Sequence, residues 1–164
     1  MSDEIRIRYA TLVDVPFLVE SNAAMALETE RKTLDRGVLR KGVEAVFADA
    51  RRGFYLIAER NAAQVGCLLV TSEWSDWRNG DWWWIQSVYV ILGARRSGVF
   101  RALHAEVEQR ARATAGVVGL RLYVEQENAP ALATYTSLGM TDAGYRLMQS
   151  GFLDFGAEPK PEPS

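Results

Sequence analysis

Trp82-Trp83-Trp84-Ile85-Gln86-Ser87-Val88-Tyr89-Val90-Ile91 followed by Arg95-Arg96-Ser97-Gly98-Val99-Phe100-Arg101 is the stretch whose reading decides the fold. The first run is aromatic and β-branched and reads as a central strand. The second is a glycine-containing turn opening a helical pattern from Val99 to Arg112, and Gly119 to Val124 then reads as another strand. Strand, helix and strand so closely joined imply a βαβ crossover from Trp82 to Val124. A turn that opens a helix presents backbone N–H groups in one direction, and the helix dipole adds partial positive charge there. Such a turn is a seat for a phosphorylated ligand.

Working towards the N-terminus, Gly53 to Glu59 and Gln64 to Thr71 are aliphatic strand patterns joined by Asn61-Ala62-Ala63, which predicts an antiparallel hairpin. Trp74 to Asp81, with Asn79-Gly80 at its tip, reads as a turn into the central strand. Ile5 to Tyr9 alternate as a strand does, Asp14-Val15-Pro16 opens a helix through Met25, and a second helical stretch covers Leu39 to Ala50. Towards the C-terminus, Pro130 to Leu138 reads as a short helix stopped by Gly139, and Tyr145 to Phe155 alternates weakly as a last strand. The order predicts an α/β fold, an α+β mixed sheet with flanking helices.

A chain of 164 residues that is 48% hydrophobic suits one well-buried core. One domain is expected over 1–156, followed by a Pro/Glu/Lys tail at 157–164 of the composition that stays disordered. The net charge of -2 gives no basic field to gather nucleic acid or an anionic membrane, so anion binding must be local, at Arg95, Arg96 and Arg101. Cys67 is the only cysteine, which excludes an internal disulfide and a thiolate metal cluster and fits a reducing cytoplasm. No apolar run approaches the roughly 20 residues that span a bilayer, and the N-terminus lacks a signal-peptide pattern. His104 stands alone beside Leu103 and Val107, which suits packing and makes no metal site.

Two motifs carry a family resemblance. Arg95-x-x-Gly98-x-Phe100 matches the pyrophosphate loop Arg/Gln-x-x-Gly-x-Gly/Ala at its first two anchors and departs at the third. Asn128, Ala131, Tyr135 and Gly139 match every anchor of the downstream pattern Asn-x-x-Ala-x-x-x-Tyr-x-x-x-Gly. In this order and separation they resemble the GNAT superfamily of acyl-CoA-dependent N-acetyltransferases, over about Ile5 to Leu147. The resemblance implies a single domain whose mostly antiparallel sheet carries one splayed parallel pair. It also implies that pantetheine enters the splay like an extra strand along Val88, Tyr89 and Val90, and that the pyrophosphate of acetyl-CoA, a co-substrate, lies over Ser97, Gly98, Val99, Phe100 and Arg101. Arg95 or Arg96 assists by charge, and Asn128 and Ala131 belong to the same cofactor site.

By the same resemblance Tyr135 is the donor to the departing thiolate, and a backbone N–H near Val88 serves the oxyanion. A phenol of pKa near ~10 can protonate a thiolate of pKa near ~8.5. Ala131, Thr134, Tyr135 and Leu138 also fall at helical spacing, which suits a core aromatic equally. Gln86 stands where many family members carry Glu or His, and glutamine cannot take a proton. A base then comes from elsewhere, such as Glu28 or Glu30, or is a water chain if the amine arrives partly deprotonated, and the two glutamates read as well as a solvated helix end. Trp74 and Trp77 beside Glu28, Glu30 and Asp76 would suit a cationic amine as an acceptor wall, with part of Trp82 to Trp84 in the core. The expected activity is acetyl transfer from acetyl-CoA to a small-molecule or peptide amine, without metal, nucleic acid or membrane. The rivals are a domain that binds acyl-CoA without turnover and, on the Trp/Arg stretch, a nucleic-acid surface. Met148 to Phe155 is apolar enough to serve a dimer edge.

Overall fold

The computed structural model describes residues 3–152, which divide into two compact units between Tyr123 and Val124. The first unit holds β1 (Ile5–Tyr9), α1 (Val15–Glu30), α2 (Arg36–Ala48), β2 (Phe54–Arg60), β3 (Ala63–Ser75), β4 (Gly80–Val90), α3 (Val99–Ala113) and β5 (Val117–Leu122). The second holds α4 (Ala129–Ser137). The strands form one sheet in the order β1-β2-β3-β4-β5, antiparallel throughout except for the parallel β4–β5 pair that α3 connects.

Local chemistry explains the hairpins. Asn61 (φ 51°) and Ala62 (φ 61°) are both left-handed between Arg60 and its partner Ala63, the two-residue turn whose twist matches the strands. The β3–β4 hairpin is longer than the sequence suggested. β3 runs on through Trp74 to Ser75, which opposes Gly80, and the turn is 76–79 with Asn79 left-handed at φ 48°.

Alternation along the strands splits the core in two. Leu56, Leu68, Val70, Trp83 and Ile85 face α3, where Val99, Leu103 and Val107 meet them. Tyr55, Ile57 and Cys67 face α1 and α2, where Val15, Leu18, Val19 and Val43 meet them. Leu18, Leu56, Ile57 and Leu103 are wholly buried, each adding on the order of 2 kcal/mol. His104 is buried with this packing, and burial holds its pKa down. Of the three consecutive tryptophans only Trp83 belongs to the core.

The expected last strand is corrected in part. Residues 145–152 form no strand, and Tyr145, Leu147, Met148 and Phe152 are exposed, so their weak alternation buries nothing. Phe155, the rest of the proposed dimer edge and the tail at 157–164 lie outside the described residues.

One polar cluster joins β1, β2, β3 and the start of α1. Asp14, 2% exposed, accepts both Nη atoms of Arg8 at 2.8 and 2.9 Å, the Thr11 N–H at 2.7 Å and Gln64 Nε2 at 2.5 Å. Arg8 Nε reaches Glu59 at 2.7 Å. The Arg8 bonds hold the Asp14 carboxyl below the usual range. A group with a depressed folded pKa stabilises above its unfolded pKa and loses that contribution as pH falls through the folded one. Asp14→Asn therefore lowers unfolding stability at pH 7 by about 2–4 kcal/mol, because it removes the charge that both Arg8 Nη atoms meet and leaves Arg8 with Glu59 alone. In denaturant titrations the gap between wild type and variant shrinks below about pH 4. A gap independent of pH contradicts the assignment.

Candidate active site

The parallel pairing of β4 with β5 ends at Ile85 against Leu122, while β4 continues to Val90 on β3 alone. Val70 opposes Ile85 and Leu69 opposes Ser87, so Gln86 is the extra residue of a bulge at the point where the two parallel strands part. Past the bulge the Ile91 N–H donates to Val65 O at 3.0 Å. Antiparallel alternation then turns the N–H and C=O of Val88 and Val90 away from β3, towards the side that β5 has left.

This edge runs into the turn before α3. Arg96 (φ 59°) and Gly98 (φ 86°) are left-handed, and α3 starts at Val99 without a side-chain cap. The positive φ favours glycine at Gly98, while a Cβ there would meet nothing within 4 Å, so the space before the helix is open. Val99, 1% exposed, anchors the helix start in the core. Phe100, at the third motif anchor, directs its ring along the helix to His104, with centroids 6.1 Å apart. Its side chain is thereby accommodated one turn further along α3.

Arg95 is committed within the protein. Its Nε donates to Val90 O at 2.9 Å, its Nη2 meets Glu28 Oε2 at 2.6 Å, and its guanidinium lies 5.4 Å from the Tyr89 ring centre. Tyr89 OH donates to the other Glu28 oxygen at 3.2 Å. Burial, and then the Glu28 carboxylate, push the Tyr89 phenol up, and the Glu28 bond raises the Arg95 guanidinium. Of the arginines weighed for phosphate charge, Arg96 is exposed within the turn itself.

The acceptor candidates separate. Glu28 lies at the end of β4, whereas Glu30 pairs with Lys32 at 2.9 Å in solvent. Trp74 and Trp77 are 59% and 86% exposed at the far hairpin, and alternation from Leu68 and Val70 puts Trp74 on the α3 face, opposite to α1. What the sheet does assemble beside the bulge is a different group. Thr71 Oγ1 donates to Gln86 Oε1 at 3.1 Å. Trp84 packs against Tyr123 with centroids 4.4 Å apart and ring planes tilted by 32°, and Trp82 carries the Arg121 guanidinium at 4.0 Å while Arg121 pairs with Glu73 at 2.6 Å. Tyr123, Glu73 and Arg121 carried no local signal, because their meeting depends on register between β3, β4 and β5.

In the second unit Asn128 Oδ1 accepts the Ala131 N–H at 3.1 Å as the N-cap of α4. Gly139 (φ 85°) closes the helix, its N–H on Thr136 O at 3.0 Å and the Met140 N–H on Tyr135 O at 3.1 Å. Asn, Ala and Gly in the downstream motif thus cap one helix. Tyr135 is half-buried on it, and burial raises its phenol, which keeps the proton at neutral pH.

Cys67, 4% exposed, has its thiol pushed up to about 11 by burial, so it is no nucleophile. Among the described residues no three His, Cys, Asp or Glu side chains group as a metal site would need, and no helix is long and apolar enough to cross a membrane.

The sequence matches the model of the acetyltransferase (GNAT) family over residues 23–140. The chain belongs to the GNAT family. A possible acetyltransferase from Clostridium difficile 630 is 42% identical, with 91% of this chain and 98% of that one covered at a TM-score of 0.85. An aminoglycoside N-acetyltransferase solved with CoA is 13% identical, with 93% and 98% covered and a TM-score of 0.75. An aminoglycoside acetyltransferase from an uncultured soil metagenomic sample, solved with sisomicin, is 16% identical, with 91% and 96% covered and a TM-score of 0.71. The last two share the fold. No curated protein matches the sequence. The mixed sheet with its parallel β4–β5 pair is the GNAT sheet, and acyl transfer is the activity that the family carries.

Proposed function

We propose that the protein transfers an acetyl group from acetyl-CoA to a primary amine by direct attack in a ternary complex. The observation that carries this reading is the β4 edge that β5 leaves at Val88 and at the Val90 N–H, the Val90 carbonyl being held by Arg95, and its continuation into the open turn at Gly98. Those features fit an extended amide chain ending in a pyrophosphate. Val88 and Val90 would pair with the amides, and the opening N–H groups of α3 with the charge of Arg96 would hold the phosphates. Bound there, acetyl-CoA supplies an activated thioester carbonyl.

The protein's own residues then have three tasks. A backbone N–H at Val88 is the donor for the developing oxyanion. Tyr135, neutral because burial raises its phenol, is the proton source for the departing thiolate. Gln86, hydrogen-bonded by Thr71, orients the amine or a water and takes no proton itself. Proton removal is therefore indirect, and Glu28, which meets Arg95 and Tyr89 at the end of β4, is the carboxylate to be tested against that reading. The aminoglycoside-directed relatives of like fold support an amine as the acceptor. A cytoplasmic location and a homodimer belong to the same reading.

Gln86 is also the observation that favours a second reading, an acyl-CoA-binding module without turnover. Release of free CoA thiol from acetyl-CoA in the presence of an amine panel separates the two, since a module that only binds releases none. In the enzyme, Tyr135→Phe lowers turnover by more than about tenfold with little change in acetyl-CoA affinity, because it removes the proton and keeps the ring. Equal loss of both assigns Tyr135 to packing.

The pH profile tests the indirect base. In the wild type the rate climbs with pH towards the amine pKa with no plateau near neutrality, and Gln86→Glu shifts the rise to lower pH by adding a carboxylate base. A wild-type plateau near neutrality that Glu28→Gln abolishes would make Glu28 the base and displace this account.

A further inference from the structure

We propose that Arg60 is a positioning residue for the turn that receives the pyrophosphate, a role that rests on the acyl-CoA reading of that turn. Arg60 is the last residue of β2, and its partner in space lies 37 positions further along the chain. Its Nη1 donates to Ser97 Oγ at 2.9 Å and its Nη2 to Ser97 O at 3.0 Å, a two-pronged grip on one residue. Ser97 Oγ in turn donates to Ala94 O at 2.6 Å. On the other side Asp3 Oδ1 lies 3.3 Å from Nε as an ion pair without a hydrogen bond, and the Arg60 side chain is only 18% exposed.

The gripped residue is the one that matters for an anion. Ser97 lies between Arg96 and Gly98, whose left-handed torsions of 59° and 86° turn the chain from β4 into α3. A turn with a non-glycine residue in this region is strained and persists only where its surroundings hold it. In a planar trans peptide the carbonyl and the following N–H point in opposite directions. By holding Ser97 O, Arg60 keeps the Gly98 N–H aimed away from β2, aligned as a donor for a phosphate oxygen at the start of α3. A flip of this peptide would present the carbonyl oxygen there, which repels an anion. Arg60 thus acts through Ser97 and needs no contact with the ligand. Neither motif contains it, so nothing local in the sequence marks it.

Two thioesters separate this role from a general effect on the fold. S-Acetylpantetheine carries the amide chain and the acyl group and lacks the pyrophosphate. Arg60→Met keeps an apolar stem and removes both donors, and Ser97→Ala removes one of the two bonds without altering β2. Calorimetry on the full chain is expected to show acetyl-CoA binding weakened about tenfold or more by Arg60→Met and less by Ser97→Ala, with S-acetylpantetheine binding unchanged within about twofold in both. Equal losses for both thioesters, or unchanged acetyl-CoA affinity, overturn the proposal. If Arg60→Met does not fold, the Ser97→Ala pair of affinities decides by the same rule. A wild-type protein that binds no acetyl-CoA overturns the cofactor reading, and this proposal with it.

Discussion

The departure of β5 from β4 after Ile85 is the constraint on which the rest of the site depends. A strand edge with no partner is costly wherever it is shielded from water and invites pairing wherever it is not, because each backbone N–H and C=O there lacks a ladder partner. Here the edge is opened by a bulge at Gln86, which lets β4 stay fully paired with β3 while β5 ends its ladder at Leu122. The strand therefore keeps its place in the sheet while Val88 and the Val90 N–H face the side that β5 has left. Core packing holds both sides of the opening, since Trp83 and Ile85 sit on the α3 face and Cys67 and Leu69 on the α1 face.

The same region explains why its charged groups are arranged as they are. Arg95 ties the end of β4 to the end of α1 through Val90 O and Glu28, and so serves the architecture as well as the local field. Arg60 ties β2 to the turn before α3 through Ser97. In a protein with a net charge of -2 Arg95 is paired with Glu28 and Arg60 with Asp3, so any excess of positive charge at this end of the sheet is small and local. A ligand with a small, concentrated negative charge suits such a region better than a long polyanion does.

Much of the architecture was legible in the sequence because its signals are local. The β2–β3 hairpin, α3 opening after Gly98 and α4 bounded by Asn128 and Gly139 each follow from periodicity and a cap within a few residues. The features that were not legible depend on register or distance. The Gln86 bulge exists only relative to β3, Arg8 finds Asp14 through the join of four elements, and Trp84 finds Tyr123 across a parallel ladder. The weak alternation after Tyr145 misled for the complementary reason, since alternation marks a strand only when one face is buried. Trp74 and Trp77 looked like a wall beside Glu28 because they are near in kind, whereas β3 carries Trp74 to the opposite face of the sheet.

Amide hydrogen exchange on the full chain, with and without acetyl-CoA, tests the central claim most directly, because it reads the β4 edge residue by residue. On this account saturating acetyl-CoA slows exchange at Val88, Val90 and Gly98 by about tenfold or more, the protection expected when solvent-facing amides gain partners, and leaves Tyr89, already paired with β3, unchanged. Protection confined to other parts of the sheet, or none at saturation, would contradict it.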